Sequence, residues 1–381
     1  MNNPPKILIF VDWFEPGFKA GGPIRSCVNF AHHMKDRYDL FVFTSDRDLG
    51  DEQAYPEIIP DQWIHTEAGL QLFYASPAFL DWRKIRQQIN TISPDYIYIN
   101  SMFSVFFSIY PLLMKRFGQI RCKMILAPRG MLKSSALSFK PVKKKIFLLL
   151  LHRLRINRFI TFHATDDTEL NDIATRFGVQ SSISHIANFP GSQSPFQPPP
   201  SKEAGELKMI FVGRIHPVKN LLFLLKALVE VSDRVMLTVV AAMEDEQYWL
   251  LCKEWIKKLP SNVCVTLSHD IPHREIEGMI KAHHIFVLPT QGENFGHAIF
   301  EAMAAGRPVL ISDQTPWRNL EASKAGWDLS LDSPAKFSET IHKAALSHYE
   351  EWLDWCKHTW QYCNKIMDNS DIKNKYVKLF S

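Results

Sequence analysis

The chain has 381 residues, 46% of them hydrophobic and 22% charged, with a formal net charge of +4 at pH 7. That composition excludes a disordered chain, and the length suits two domains better than one core. The longest apolar stretches, Met102 to Met114 with Pro111 inside it and Ile146 to Leu151, fall well short of the ~20 residues that a membrane-crossing helix needs.

The opening MNNPPKILIFVDWF reads as a first strand and not as a signal peptide. Apolar runs occur at Lys6–Val11, Asp39–Thr44, Leu70–Ala75, Tyr96–Asn100, Lys123–Ala127, Phe159–Ala164 and Ile183–Ala187, with helix-forming segments such as Ile24–Met34, Trp82–Ile92 and Thr168–Phe177 between them. Strands alternating with helices predict a doubly wound α/β domain over residues 1–188. Residues 189–206, FPGSQSPFQPPPSKEAGE, contain five prolines and break every periodicity, which marks a linker. Over residues 207–348 the alternation returns. Its apolar runs are Lys208–Val212, Val235–Val240, Val263–Leu267, Ile285–Leu288, Val309–Ile311 and Trp327–Leu331, separated by Leu221–Val231, Glu244–Leu259, His273–Ala282 and the segment HAIFEAMAA. Residues 349–381 are rich in Trp, Tyr and Phe and read as helical.

Charge is unevenly spread. Residues 1–190 carry 23 Lys plus Arg against 17 Asp plus Glu, and the remainder 21 against 23. The densest part, Lys140 to Arg158, has seven Lys or Arg and no acid. It fits either a helix at an anionic membrane surface, with Ile146, Leu149 or Leu150 toward lipid, or a core-packed helix with a solvated basic face. No recognised DNA- or RNA-binding module accompanies it, so no nucleic-acid partner is expected. The six cysteines show neither a C-x-x-C pair nor metal spacing, which points to a reducing cytoplasmic compartment, with the inner face of the membrane as a further possibility.

The most informative stretch is Phe286 to Ser312, FVLPTQGENFGHAIFEAMAAGRPVLIS. It reads as strand, loop, helix and strand, a parallel βαβ unit. Its loop, Thr290 to Gly296, falls beyond the carboxyl end of a strand, where open parallel sheets bind ligands. Loop and helix carry two carboxylates, Glu293 and Glu301. A carboxylate accepts two hydrogen bonds side by side, which suits a vicinal diol. The backbone N–H groups of Asn294, Phe295 and Gly296 lead into the helix start, whose dipole favours oxygen-rich ligands.

This run resembles the E-x7-E motif of retaining GT-B glycosyltransferases of family 4, including the flanking P-T, N-F-G, E-A-M-A and G-x-P-V. The resemblance implies two Rossmann-like domains facing across a cleft, with the final helix crossing back to the first domain. It implies transfer of a sugar from a nucleotide-sugar donor to an acceptor hydroxyl with retention, without metal or other cofactor. Glu293 is then expected to contact donor-sugar hydroxyls and Glu301 the ribose. After Met209–Val212, GRIHPVKN resembles the family's phosphate element, with Arg214 and Lys219 reaching the donor diphosphate.

In the first domain, Gly21 and Gly22 precede the helix at Ile24 and match the family's glycine-rich loop. They let backbone N–H groups approach a phosphate. The pair is not G-x-G-x-x-G, which argues against a nicotinamide oxidoreductase. Where many relatives place a His after the fifth strand, this chain has Arg129 in LAPRGMLKS, with Gly130 and Met131 shaping the acceptor side. Its guanidinium suits a phosphate or acceptor oxygen and is a poor general base. Glu169 and Asn188 resemble cleft-lining positions. Asp46 and Asp48 form a D-x-D that reads as a solvated loop, since the family resembled is metal-independent. The implied acceptor is a glycan or lipid-linked molecule of bacterial surface polysaccharide or glycolipid assembly. A nucleotide-sugar epimerase or hydrolase on the same fold, and a non-catalytic nucleotide-sugar-binding protein, are the alternatives.

Overall fold

A computed structural model describes residues 4–133, 136–137, 141–269, 271–367 and 370–381. The chain divides into two compact units, Met1–Phe189 with Asn369–Ser381, and Pro190–Asp368.

The first unit is built on β1 (Lys6–Phe10), in which Ile7 and Ile9 enter one apolar cluster and Leu8 and Phe10 another. Successive side chains of a strand point to opposite faces, so this one is buried on both, as parallel sheets with helices on each side require. The chain continues through α1 (Gly22–Met34), β2 (Asp39–Ser45), β3 (Trp63–His65), β4 (Gln71–Ala75), α2 (Trp82–Ile92) and β5 (Tyr96–Ile99). A π-helical turn, Val105–Ile109, leads into α3 (Tyr110–Arg116), followed by β6 (Lys123–Leu126), α4 (Pro141–Arg153), β7 (Thr161–Ala164), α5 (Asp167–Phe177) and β8 (Ile183–His185). The strand order is β3-β4-β2-β1-β5-β6-β7-β8, parallel except for β3 against β4. Three residues were too few for β3 to show in the apolar pattern; pairing with β4 across the turn at Thr66 defines it.

Helix α2 illustrates how the local sequence sets an element. Ile85, Ile89 and Ile92 form its buried stripe, the Asp81 carboxylate accepts the Arg83 and Lys84 amides, and Ser93 ends it in the left-handed region.

The second unit runs β9 (Glu206–Ile215), α6 (Leu221–Leu228), β10 (Arg234–Met243), α7 (Glu246–Ile256), β11 (Val263–Ser268), α8 (His273–Lys281), β12 (Ile285–Leu288), α9 (His297–Ala304), β13 (Val309–Ser312), β14 (Gly326–Leu329), α10 (Pro334–Leu346) and α11 (Tyr349–Ile366). Its six strands are parallel in the order β11-β10-β9-β12-β13-β14. Both sheets are of the Rossmann type, with helices in the crossovers.

The proline-rich stretch after Phe189 is fastened to the second unit. Arg307, 1% exposed, donates to the carbonyls of Gln197, Pro198 and Lys281, and Lys202 donates to those of Ala345 and Ser347. The C-terminal stretch divides. Trp352, Cys356 and Cys363 of α11 are buried in the core of the second unit. Tyr376 and Phe380, in and just after α12 (Ser370–Leu379), pack with Ile7 and Ile9 in the first.

Candidate functional site

In the second sheet β9 lies between β10 and β12, so the chain leaves it first to one side and later to the other. Ligands of open parallel sheets bind beyond the carboxyl ends of the strands at such a reversal. The loops that follow β9 and β12 meet there: the Gln291 amide donates to the Val218 carbonyl at 2.7 Å and the Thr290 hydroxyl to the same oxygen at 3.1 Å. On these loops Lys219 Nζ and Glu293 Oε1 are 2.5 Å apart, with side chains 18% and 13% exposed.

Glu293 is held by its own amide, which donates to the Gln314 carbonyl. Gly296 caps α9 with φ +79, and an added Cβ would stand 2.9 Å from Ile299 Cδ1 and 3.3 Å from Trp317 Nε1. Glycine is therefore required there for both conformation and space. Phe295 packs edge-on against Trp317, whose indole donates to the Phe295 carbonyl. Asn294 precedes it, partly exposed, on the same loop.

Glu301 lies in α9 with Oε1 3.0 Å from His273 Nε2, at the start of α8. Arg214, near the end of β9, is 2.8 Å from Glu244, just past β10. Residues 214 and 242 are direct neighbours in the sheet, which brings the two side chains together. The expected donor-side residues thus make two ion pairs, Lys219 with Glu293 and Arg214 with Glu244, and one carboxylate–imidazole contact, Glu301 with His273. His273 and Glu244 were not singled out from the sequence. The topology, which puts both at strand-to-helix turns, was the signal that would have found them.

The first unit has its own reversal, between β1 and β5. Gly21 caps α1 at φ +66 and Gly22 is its first residue. The preceding turn is held by Asp48, whose Oδ2 accepts the Phe18 amide at 2.7 Å and the Lys19 amide at 3.1 Å. Asp46 and Asp48 are 2% and 3% exposed, which corrects the reading of the D-x-D as a solvated loop. A buried carboxylate must be satisfied, and backbone amides satisfy Asp48 while Arg47 pairs with Asp46 at 2.8 Å.

Arg129 follows β6 with φ +55, and Gly130 follows with φ +76. The guanidinium donates to Asn100 Oδ1, to the Tyr98 hydroxyl at 2.8 Å and to Asn188 Oδ1. The turn is fixed by Glu169, 0% exposed, which accepts the Gly130 amide at 2.6 Å with one oxygen and the Thr165 amide and hydroxyl with the other. Three positions named separately from the sequence, Arg129, Asn188 and Glu169, therefore belong to one hydrogen-bonded cluster. Behind it Tyr98 bonds to His163 Nδ1 at 2.7 Å, and His163 Nε2 to the Ile186 carbonyl at 2.8 Å.

Beside these groups, burial pushes the Asp12 carboxyl above its usual range, opposed by hydrogen bonds from Ser104 and Ser101. Asp12 lies beyond the end of β1 and Ser101 beyond the end of β5, positions that only the strand order marks as a reversal. Lys140 lies outside the described residues. The rest of the basic segment forms α4 and the turn after it.

The model of the family described as glycosyl transferases group 1 matches residues 193–348. The O-antigen chain mannosyltransferase RfbU of Salmonella typhimurium is 26% identical over 171 residues, 45% of this chain and 47% of that protein. The D-inositol 3-phosphate glycosyltransferase of Corynebacterium jeikeium is 33% identical over 149 residues, 36% of this chain and 34% of that one. The chain spans less than half the length of the curated relatives it matches. The solved structure of Anabaena HepE in complex with UDP and glucose has a TM-score of 0.72 at 14% identity, covering 98% of this chain and 99% of that one. Sucrose-phosphate synthase from Thermosynechococcus elongatus has a TM-score of 0.72 at 15% identity, covering 99% and 98%. Residues 193–348 are a glycosyl transferases group 1 domain, and the chain that carries them has the GT-B fold of two Rossmann-like domains.

Proposed function

We propose that this protein transfers a sugar from a nucleotide-sugar donor to an acceptor hydroxyl with retention at the anomeric carbon. The observation that carries the reading is the Lys219–Glu293 pair at the chain reversal of the second sheet. In a nucleotide sugar a phosphate oxygen lies next to a ring bearing hydroxyls, so it needs a cation beside a carboxylate, and these two side chains supply both. Glu301 is the second carboxylate of the motif and takes the ribose diol. Arg214 exchanges Glu244 for a phosphate oxygen, and a guanidinium fork suits such a group. Asn294, Phe295 and Gly296 contribute backbone N–H groups at the start of α9.

In this reaction the bond between the anomeric carbon and the diphosphate oxygen breaks, and a bond to the acceptor oxygen forms on the same face. The departing diphosphate takes the acceptor's proton. Charge grows on the diphosphate as it leaves, so Lys219 and Arg214 bind the transition state more strongly than the donor, and no metal is required in this reading. Arg129 orients Asn100 and Asn188 on the acceptor side, where Asp12 is the group placed to accept a hydrogen bond from the acceptor. The UDP complex of HepE supports a uridine nucleotide, and the likeness to an O-antigen mannosyltransferase supports a role in bacterial surface polysaccharide or glycolipid assembly on a glycan or lipid-linked acceptor.

A non-catalytic donor-binding protein is the second reading, favoured by the engagement of Arg129 with neutral partners at the position where the family resemblance leads one to expect a His. Thermal unfolding with UDP, GDP, UDP-glucose and GDP-mannose tests donor binding, since a ligand at 100 times its dissociation constant adds about 2.7 kcal/mol. At least one should stabilise the wild type and fail to stabilise the Glu293→Ala/Glu301→Ala double variant. Equal stabilisation of both proteins would remove the donor site. Release of nucleoside diphosphate that depends on an added glycan or lipid-linked acceptor separates transfer from binding alone.

A further inference from the structure

Residues 96–165 contain thirteen Lys or Arg and no Asp or Glu. Helix α4 lies within this stretch. Its buried residues, Phe147 and Leu151, are one turn apart and join the core of the first unit. On the other side Val142, Ile146 and Leu149 are 67%, 63% and 66% exposed, and Leu150 is 44% exposed.

At 100° per residue, Val142, Ile146, Leu149 and Arg153 fall within an arc of roughly 60°. Lys145 and His152 border this stripe on one side, Lys143 and Leu150 on the other, and all four are exposed. Past the helix, Arg155, Arg158 and Phe159 are exposed as well, with the Arg116 guanidinium 5.1 Å from the centre of the Phe159 ring. The core-facing side of the helix is therefore satisfied, and its outward side is apolar with a cationic border, which a merely solvated basic face does not explain.

We infer that the outward face of α4, with Phe159 beside it, is a docking surface for an anionic lipid bilayer. Val142, Ile146, Leu149 and Leu150 enter the boundary between headgroups and acyl chains, while Lys143, Lys145, Arg153, Arg155 and Arg158 meet lipid phosphates. A bilayer fits better than an acidic protein because the cations surround the stripe without any interspersed acid, an arrangement that answers a diffuse negative surface more than a set of paired charges. Among the described residues no helix is long and apolar enough to cross a membrane, so the contact is peripheral. This inference does not depend on the transfer reaction.

The test is co-sedimentation of the full chain with phosphatidylcholine vesicles, with and without phosphatidylglycerol. Binding is expected with the anionic lipid, weakening as salt is raised. Each neutralised cation near the surface is expected to weaken it roughly five-fold, so Lys143→Gln/Lys145→Gln should lose about 25-fold. Ile146→Ser/Leu149→Ser should lose binding while keeping the wild-type thermal unfolding midpoint, because both positions face solvent. An environment-sensitive fluorophore on an Ile146→Cys variant should shift to the blue on phosphatidylglycerol vesicles, giving a reading that does not need a deletion. Absence of binding to the anionic vesicles, equal binding to neutral ones, or wild-type binding by both double variants overturns the inference. Retention on soluble polyglutamate without vesicle binding overturns it in favour of an acidic protein partner.

Discussion

Replacing His163 should remove a specific acid sensitivity of the first unit. The ring is 0% exposed. Its Nε2 faces a carbonyl, which only accepts, so Nε2 carries the proton and Nδ1 accepts from the Tyr98 hydroxyl. A second proton would force Nδ1 to donate toward an oxygen already approached by the Arg129 guanidinium. Burial, followed by the nearby Arg129 charge, lowers the imidazole from 6.5 to about 3.

Between those values the unfolded chain binds the extra proton and the folded one does not. The stabilising contribution is complete above the unfolded pKa and is lost as pH falls toward the folded one. From pH 7 to pH 5 the loss amounts to about 2 kcal/mol for this one group. Burial lowers His284, 0% exposed in the second unit, to about 4, so both units lose stability in the same direction. Pulse proteolysis across a urea series at both pH values, read by mass spectrometry, follows the two units separately. In His163→Gln the first unit should be less stable at pH 7 yet lose about 2 kcal/mol less than wild type on going to pH 5, with the second unit unchanged. If the variant and the wild type lose the same amount in the first unit, the buried neutral imidazole is not the source.

Two other perturbations follow from close contacts. Gly326→Ala would place a Cβ 2.0 Å from the Val309 carbonyl oxygen, backbone against backbone in adjacent strands, at φ +146; a loss of more than about 3 kcal/mol is expected, and a wild-type urea midpoint for the second unit would contradict it. Glu169→Ala leaves the Gly130 and Thr165 amides without their carboxylate. It should cost about 3 kcal/mol or more and lower turnover by loosening the Arg129 turn, whereas wild-type stability together with wild-type turnover would show that the carboxylate does not hold that turn.

Much of the fold was legible because its cause is local. The apolar runs from Lys6 and Ile285 become strands buried on both faces, and the stripe Ile85, Ile89, Ile92 becomes one side of a helix. Strand β3 was not, since three residues carry no period and only a partner strand defines them. In the candidate site, the loop-and-helix pattern together with the motif resemblance singled out Glu293 and Glu301, and the resemblance singled out Lys219 and Arg214. Their partners were not legible: the pairing of Lys219 with Glu293 joins loops 74 positions apart in sequence.

The D-x-D shows the same division in reverse. Asp46 and Asp48 look like a hydrophilic loop until the turn at Phe18 and Lys19 folds its amides onto Asp48 and Arg47 pairs with Asp46, with both carboxylates buried. Apart from β3, residue order alone determined where the strands and helices of both sheets form and which motif occupies the loop after β12, because those depend on side-chain period, capping and glycine conformation within a few positions. Strand order decided the rest. Only the three-dimensional arrangement brings Arg129 to Asn188, Glu301 to His273 and an apolar stripe of α4 to the outside, since burial and electrostatics act on distance in space and not along the chain.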